Sequence, residues 1–294
     1  GDGYGKKQIN EDFFFLEACE YQEHFLVYKP YFSFICNIDY DHVDYYKSES
    51  DYILAFNKFA SYSSIGLIDY DSFYKINNPY FFTYGIDDRA DFYAEDFSFD
   101  ENGIKGKLYF QTEFITDFKF NNMYGLPLIK DVVGVLAFYF LHHYDLEKVK
   151  NNLQKYQMAQ KRFNINKINK QIYIDDYAHH PSQMKVNLEN VKVLFPFYKY
   201  VAIYKPDRVS RLEYFYKDIK DILSKFDLAF ICDFNDKTNK DLLNKFNSEK
   251  IIYLENINNI KNYLNKDYKY VFSLMSSKDL NPIKNVIIEF FNKN

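Results

Sequence analysis

Residues 171–194 read QIYIDDYAHHPSQMKVNLENVKVL, and this stretch decides which fold the chain is predicted to have. Its first four residues, from Gln171 to Ile174, alternate with β-branched and aromatic side chains, as a strand does. Pro181 and Ser182, followed by apolar residues at 184, 186, 188 and 191, indicate the start of a helix. The acids and histidines at 175–180 therefore follow the carboxyl end of a strand, which is where open α/β sheets bind ligands.

Strand-like and helix-like segments alternate from this stretch to the C terminus. Strands are predicted at 172–174, 200–204, 228–232, 250–253 and 270–274, and helices at 181–194, 211–225, 237–246, 256–264 and 281–291. Such alternation predicts an α/β domain with a doubly wound, mainly parallel sheet.

The part of the chain before residue 158 has a different pattern. Short β-like pieces occur at 64–67, 80–84, 90–97, 106–113 and 116–120, and helices are predicted at 50–60, 127–142 and 146–156. With 294 residues the chain suits two domains, so we place them at 1–157 and 158–294.

A second polar cluster follows another strand-like run, at 31–38. The sequence FICNIDYDHVDY at 34–45 places His42 among carboxylates, and a third predicted strand, FFFL at 13–16, runs into Glu17 and Glu20. Taken alone, the cluster at 175–180 could be only a hydrogen-bonded loop that caps a helix. The second cluster favours a functional site, and carboxylates with an imidazole suit Mg2+ that also carries phosphate.

Composition excludes several other classes. The net charge of -4 disfavours a general nucleic-acid binder, and no apolar run approaches the roughly 20 residues that span a membrane. The three cysteines show no paired metal-ligand spacing, which disfavours zinc and is typical of a reducing compartment, so a cytoplasmic location is expected.

Arginine is rare, and its placement is informative. Arg162, Arg208 and Arg211 lie in segments flanking the cluster at 175–180, where a guanidinium fork could hold phosphate or carboxylate; Arg89 is assigned to a surface turn. The glycine-rich start, GDGYGK at 1–6, does not match the phosphate-loop pattern and is predicted to be a flexible turn. The chain is therefore expected to start within a domain.

These motifs resemble those of the Mur ligases. The resemblance rests on residues 17–26, 37–45, 161–163, 175–182 and 204–211, which occur in the order and spacing of that family. The string DDYAHHPS at 175–182 resembles the branch that joins L-alanine to UDP-N-acetylmuramate and its relative that recycles murein tripeptide. The resemblance implies a partial central ATPase domain followed by a Rossmann-like C-terminal domain.

The resemblance also implies an activity, which is ATP-dependent amide formation in the synthesis of peptidoglycan precursors for the cell wall and cell shape. The muramic acid carboxylate would take the γ-phosphate of ATP, and L-alanine would attack the resulting acyl phosphate. Such chemistry depends on positioning the reactants and neutralising phosphate charge. The expected partners are UDP-N-acetylmuramate and L-alanine, and the expected cofactors are ATP and Mg2+; oligomeric state is not predicted.

Individual roles follow from the family motifs. The catalytic residues implied are Arg162, Asp176, His179, His180 and Arg211, the nucleotide-binding residues are Asn37, Arg162 and Asp176, and the metal ligands are Glu17 and His42. In this assignment Arg162 meets phosphate from the domain junction, and Asp176 orients the junction or the nucleotide. The two histidines and Arg211 line the amino-acid side.

The sequence departs from the family pattern at several positions. Residues 1–294 include neither the UDP-sugar domain nor the glycine-lysine-threonine phosphate loop of the family, so these residues alone are expected to be inactive. The family's His-Asn is Pro127-Leu128 here, a following Asn is Asp131, and Pro-His is Pro206-Asp207. A late Gly-Ala-Gly-Asp turn is replaced at 276–279, and an Ala-Arg-Glu segment is not recognisable after Cys232.

Two rival interpretations stay open at this point. The first is a non-catalytic binding protein derived from a ligase, which the lost motifs favour and the retained Glu17, His42, Arg162 and Asp176 disfavour. The second is an amide ligase of the same fold with another acceptor, such as the tripeptide-recycling enzyme.

Overall fold

The computed structural model describes residues 13–232 and 240–292, which form two compact units. The first unit comprises Gly1–Ser98, Ile104–Asn121 and Pro127–Ala159, and the second comprises Phe99–Gly103, Asn122–Leu126 and Gln160–Asn294. Each unit is built on a six-stranded sheet. The glycine-rich segment at 1–6 and the residues directly after Cys232 lie outside the described residues.

The first sheet has its strands in sequence order. They are β1 (Phe32–Ile35), β2 (Ile65–Asp69), β3 (Phe81–Gly85), β4 (Phe92–Asp100), β5 (Gly103–Phe110) and β6 (Glu113–Phe120). The first four pair in parallel, and β5 pairs with β6 antiparallel. The helices are α1 (Glu49–Ala60), α2 (Tyr70–Phe73), α3 (Leu126–Leu141) and α4 (Leu146–Leu153), and a 3-10 helix spans Tyr21–Val27.

Close backbone approach in this sheet requires a glycine. A Cβ added at Gly66 would lie 2.4 Å from the backbone oxygen of Ser33 on the paired strand. A buried cluster covers one side of the sheet, where Phe56 and Phe59 of α1 pack with Ile35, Ile68 and the 3-10 helix residue Phe25. The helical spacing of the α1 residues is what brings them onto one face.

The second sheet has the order β11-β10-β9-β12-β8-β7. Its strands are β7 (Asn164–Ile168), β8 (Gln171–Asp176), β9 (Lys199–Tyr204), β10 (Leu228–Cys232), β11 (Ile251–Leu254) and β12 (Tyr270–Met275). All neighbours pair in parallel except β7 and β8. The helices are α5 (Pro181–Leu194), α6 (Val209–Tyr214), α7 (Tyr216–Ser224), α8 (Lys240–Asn244) and α9 (Asn281–Asn292), and a 3-10 helix spans Ile257–Tyr263.

Both faces of the second sheet are covered. Tyr173, Val201 and Phe272 share one buried cluster with Ile283 and Ile287 of α9. On the other face, α5 packs against β9 and β12, and α7 packs against β10. The prediction of an α/β fold with a doubly wound, mainly parallel sheet is confirmed.

Several predicted elements differ from those observed. Residues 13–16 are not a strand; the Phe13 and Phe15 rings instead pack edge-on against Phe138 of α3. The strand predicted at 31–38 ends at Ile35, and the helix predicted at 211–225 is divided at Phe215 into α6 and α7.

The antiparallel strand β7 was not predicted, because its polar sequence NINKI lacks the apolar run of a buried strand. The helix predicted at 256–264 is a 3-10 helix. Of the helix predicted at 237–246, α8 spans Lys240 to Asn244, and the residues before 240 lie outside the described part of the chain. Among the described residues, no helix has both the length and the apolar character needed to cross a bilayer.

Candidate functional site

The two consecutive acids at the end of β8 serve opposite faces of the second sheet, because side chains alternate along a strand. Asp175 accepts a bond from Lys284 Nζ of α9 at 2.6 Å, on the side of the buried Tyr173. Asp176 accepts a bond from Asn187 Nδ2 of α5 at 2.7 Å, on the other side. The acid pair that stood out in the sequence is therefore divided between a structural ion pair and the candidate site.

Asp176 occupies the carboxyl end of β8 and is largely enclosed by protein. Burial raises the pKa of Asp176 above its ordinary value, although the hydrogen bond from Asn187 and the positive charge of Arg162 oppose this effect. The guanidinium carbon of Arg162 lies 5.2 Å from the Tyr177 ring centroid. The structure thus brings Arg162 and Asp176, two of the predicted site residues, into one electrostatic environment.

The loop after β8 holds the two histidines in different roles. His179 is buried, and its Nδ1 lies 2.8 Å from the Tyr177 carbonyl oxygen. Because a carbonyl only accepts, Nδ1 carries a proton and donates to this oxygen. His180 is the N-cap of α5: its side chain accepts from Ser182 N, and Gln183 completes a capping box. His180 therefore fixes the start of α5.

Arg211 forms a buried ion pair at the carboxyl end of the neighbouring part of the sheet. Its Nη1 donates to Asp207 Oδ1 at 2.7 Å, and Ser277 Oγ lies 3.3 Å from Asp207 Oδ2. Burial alone would raise the pKa of Asp207, but the positive charges of Arg211 and then His179 outweigh burial and hold this pKa below its ordinary value. Asp207, which was not among the predicted site residues, is therefore an ionised part of the cluster.

Backbone contacts keep this edge of the sheet in place. Lys205 N donates to Met275 O at 3.2 Å, and Ser276 Oγ donates to Lys205 O at 2.7 Å. Lys161 Nζ donates to Lys278 O at 2.9 Å, while Tyr177 N donates to Lys161 O at 2.7 Å. The loops after β8, β9 and β12 are thus tied together around Asp176, His179, Asp207 and Arg211.

In the first unit, His42 follows β1 and has a left-handed backbone with φ 53°. Among the described side chains, His42 pairs with Glu20 rather than with Glu17, with Nε2 3.0 Å from Glu20 Oε1. Burial would raise the pKa of Glu20, but the hydrogen bond from His42 and its positive charge lower it below the ordinary value. The His42 Nδ1 atom is buried without a hydrogen-bond partner.

The other two predicted site residues of this unit, Glu17 and Asn37, lie at exposed positions. Glu17 is exposed in a segment without regular structure, and Asn37 is exposed two residues after β1. Within residues 13–232 and 240–292, no group of three or more His, Cys, Asp or Glu side chains is arranged to hold a metal. Mg2+ usually takes only one or two protein carboxylates and keeps several waters, so the carboxylate and imidazole donors present fit that ion in kind.

A further charged cluster lies at the end of β2, and sequence reasoning missed it. Lys130 Nζ of α3 lies 2.9 Å from the buried Asp69 and 2.5 Å from Asp71. Burial raises the pKa of Asp69 despite Lys130. The pKa of the neighbouring Asp131 is raised to about 6, first because the surrounding protein displaces water and then because Asp69 is negatively charged. The Asp131 side chain nevertheless keeps access to solvent. The sequence did contain a signal for this cluster, because Asp69 ends the apolar run at 65–69.

Residues 6–125 match the Mur ligase middle domain. This match covers strands β1 to β6 and the segment that carries Glu17, Glu20, Asn37 and His42. The main part of the second unit, Gln160–Asn294, lies outside the matched residues, and its resemblance to Mur ligases depends on its fold.

Solved Mur ligase structures share the fold over nearly the whole chain. UDP-N-acetylmuramate-alanine ligase MurC from Thermotoga maritima has a TM-score of 0.71 at 20% identity, covering 92% of this chain and 62% of its own. MurF ligase from the same organism, in complex with ADP, has a TM-score of 0.70 at 14% identity, with coverages of 92% and 65%. A murein peptide ligase from Psychrobacter arcticus has a TM-score of 0.62 at 14% identity, with coverages of 92% and 60%.

These similarities establish the fold and leave the substrate open. The two sheets have the folds of the Mur ligase middle and C-terminal domains. The chain spans about three fifths of the length of the structures it matches. Because Mur ligases with different substrates share this fold, the predicted closeness to the L-alanine branch stays a prediction.

Proposed function

We propose that the chain is the middle and C-terminal part of an ATP-dependent ligase that joins L-alanine to UDP-N-acetylmuramate in peptidoglycan synthesis. The proposal is carried by the Mur ligase middle-domain match at 6–125. It is supported in the second unit by the grouping of Asp176, His179, Asp207 and Arg211 at one edge of the sheet. These groups suit the binding of charged, polar substrates, since they place ionised and hydrogen-bonding side chains at the carboxyl ends of parallel strands.

In this proposal the first unit contributes to phosphate and metal binding. Glu17, Glu20 and His42 are the donors that would hold Mg2+, and Asn37 would contact the nucleotide. Mg2+ supplies positive charge that offsets charge on the phosphates during transfer. The bond between His42 and Glu20 keeps the imidazole oriented until the ion binds.

The second unit contributes charge and orientation in the proposed reaction. Arg162 would neutralise phosphate charge, and Asp176, held by Asn187, would orient a nucleotide hydroxyl. His179 and Arg211 would face the amino acid. His180 acts through the helix start that it caps, which positions the loop at 177–180.

Nucleotide binding by the chain provides the first test. We expect MgATP to bind in titration calorimetry, EDTA to weaken the binding, and His42→Ala to weaken it by roughly tenfold or more because a charged or metal-linked contact is lost. His24→Ala changes an exposed histidine of the same unit and should have no effect. Metal-independent binding, or equal binding by His42→Ala, would contradict the assignment of His42.

The acceptor is tested separately, with the natural gene product that contains this chain. UDP-N-acetylmuramate and MgATP are supplied with equal concentrations of L-alanine and of murein tripeptide, and the products are separated by mass. The proposal predicts the L-alanine adduct. Predominant tripeptide adduct would support the recycling ligase that the motif at 175–182 also resembles, and MgATP binding without any adduct would support a non-catalytic binding protein.

A further inference from the structure

The tetrapeptide YKYV occurs twice in the second unit, at 198–201 and at 268–271. The two copies enter the neighbouring strands β9 and β12, which pair in parallel with the copies offset by one residue. Each lysine therefore lies beside a tyrosine of the other copy. Lys199 Nζ is 3.9 Å from the centroid of the Tyr268 ring, and Lys269 Nζ is 6.0 Å from the centroid of the Tyr198 ring. Two crossed cation–π pairs thus mark the amino ends of these strands.

Side-chain hydrogen bonds fix the backbone of this edge. Gln171, the first residue of β8, accepts from Tyr270 N at 2.7 Å and donates to Tyr268 O at 3.3 Å. Asp227, which precedes β10, accepts from Tyr200 N at 2.7 Å. The starts of four neighbouring strands are therefore held together, at the opposite end of the sheet from the candidate site. We call this surface the amino edge.

The turn that leads into β9 carries the most exposed large apolar side chain that the structure describes. Phe197 is 93% exposed, and Val193, in the last turn of α5, is 54% exposed. Because α5 connects two parallel strands, its C-terminal end returns to the amino edge. A single exposed apolar residue needs no explanation, but this one directly precedes the first copy of YKYV. Apolar, aromatic and cationic side chains therefore meet on one surface.

The amino edge is positive although the chain as a whole has a net charge of -4. The charged residues within three positions of the starts of β8, β9 and β12 are Lys170, Lys199, Lys269 and Asp267. Lys192, in the last turn of α5, adds a further exposed cation. The edge therefore complements an anionic partner.

Three kinds of anionic partner are considered: a nucleic-acid strand, an acidic peptide and a lipid bilayer. A nucleic-acid strand stacks its bases on ring faces, but Lys199 and Lys269 already lie over the rings of Tyr268 and Tyr198. An acidic peptide accounts for the lysines and leaves Phe197 without a role. An anionic bilayer uses all three side-chain types, since lysine meets headgroups, tyrosine suits the interface and phenylalanine enters the acyl boundary.

We propose that the amino edge is a peripheral binding surface for an anionic lipid bilayer, with Phe197 inserted at the acyl boundary and the lysines on the headgroups. This inference does not depend on the proposed function. One aromatic side chain and a few lysines give reversible binding. The strands place the candidate site on the order of 20 Å from the amino edge, so the site stays open to solvent when the edge is bound.

The absence of tryptophan from the chain allows a direct test of insertion. Phe197→Trp gives the full chain a single indole at the proposed point of contact. Phe14→Trp is the matched control, because Phe14 is 76% exposed and belongs to the other unit. Vesicles contain phosphatidylcholine alone or in equal parts with phosphatidylglycerol. With the anionic vesicles, emission from position 197 should move to shorter wavelength and be quenched by brominated acyl chains, whereas emission from position 14 should not change.

Co-sedimentation with the same vesicles measures the contribution of each group. Phe197→Ser should weaken binding to anionic vesicles by about fivefold or more, because an apolar contact is lost. Lys199→Gln combined with Lys269→Gln should weaken it by about tenfold or more, since each lysine near an anionic surface contributes. Phe14→Ser and Lys185→Gln change exposed residues elsewhere and should have no effect. Because Phe197 is almost fully exposed, its variants retain the packing of the wild-type chain.

The remaining outcomes overturn the inference. An unshifted emission at position 197, or equal shifts at positions 197 and 14, excludes specific insertion. Unchanged vesicle binding by Phe197→Ser indicates electrostatic adsorption without insertion, and equal binding to both kinds of vesicle removes the role of the lysines. Binding to oligothymidylate or polyglutamate that the lysine substitutions weaken, without binding to anionic vesicles, assigns the amino edge to a nucleic acid or an acidic peptide instead.

Discussion

Removing Arg211 should destabilise the second unit by leaving the Asp207 carboxylate buried and unpaired. The pair is 2.7 Å apart with exposures of 6% and 12%, and loss of one partner from such a pair costs about 3–5 kcal/mol. We expect Arg211→Met to lower the free energy of unfolding by about 3 kcal/mol. Asp207→Leu combined with Arg211→Met should recover most of that loss, because no charge is then left buried.

The double-mutant cycle matters because Arg211 has further contacts, whose loss would appear in the single variant. Urea unfolding followed by circular dichroism gives the four free energies, and hydrogen exchange of peptides from β9 and α6 identifies the unit that opens. A coupling energy of about 2 kcal/mol or more is expected from burial of the pair. A value below about 0.5 kcal/mol, which is typical of exposed pairs, would refute the reasoning.

The same pair predicts how stability depends on pH. The folded-state pKa of Asp207 is lower than its ordinary unfolded value of about 3.9. Its contribution is therefore fully present above pH of about 4 and is lost as pH falls through the lower folded value. The coupling energy should be constant from pH 5 to 7 and should decline below about pH 4; an increase on acidification would contradict the sign.

Three other predictions concern packing, caps and charge. Lys130→Met should lower the free energy of unfolding, measured in urea, by about 2–3 kcal/mol because Asp69 would be buried beside Asp71 without its cation. Lys130→Arg keeps the cation and should lower it by less than half as much. His180→Ala should cost about 1 kcal/mol by removing the cap of α5, and His180→Asn should restore most of it; equal losses in both would argue against capping. Gly66→Ala should cost about 2 kcal/mol or more in thermal unfolding because its Cβ meets a strand backbone, while Gly85→Ala, with 3.5 Å to its nearest neighbour, should cost less.

Periodicity predicted the second sheet well because its central strands are apolar runs separated by amphipathic helices. The bounds of β10 and α5 coincide with their predicted ranges, since Pro181 and the His180 cap mark the start of α5. β7 was missed because an edge strand can be polar on both faces. The segment at 13–16 was wrongly predicted as a strand because its aromatic side chains pack on α3, and strand propensity does not supply a pairing partner.

The candidate site could be located from sequence but its pairings could not. The acids and histidines at 175–180 were predicted to lie at the end of β8, and they do. Which acid faces which helix depends on strand alternation and on distant partners, Lys284 and Asn187. The choice of Glu20 by His42 likewise depends on a distance that residue spacing does not encode. The Asp207–Arg211 pair, in contrast, has an i,i+4 spacing that was an available signal.

Oxygen transfer from a labelled substrate tests the proposed ligase most directly. The natural gene product that contains this chain is incubated with MgATP, L-alanine and UDP-N-acetylmuramate whose carboxylate carries oxygen-18. An acyl-phosphate route breaks the bond between carbon and a carboxylate oxygen when L-alanine attacks, so one labelled oxygen leaves with phosphate. The account predicts one oxygen-18 atom in the inorganic phosphate for each amide formed. Amide formed with unlabelled phosphate, or MgATP bound with no turnover, would contradict it.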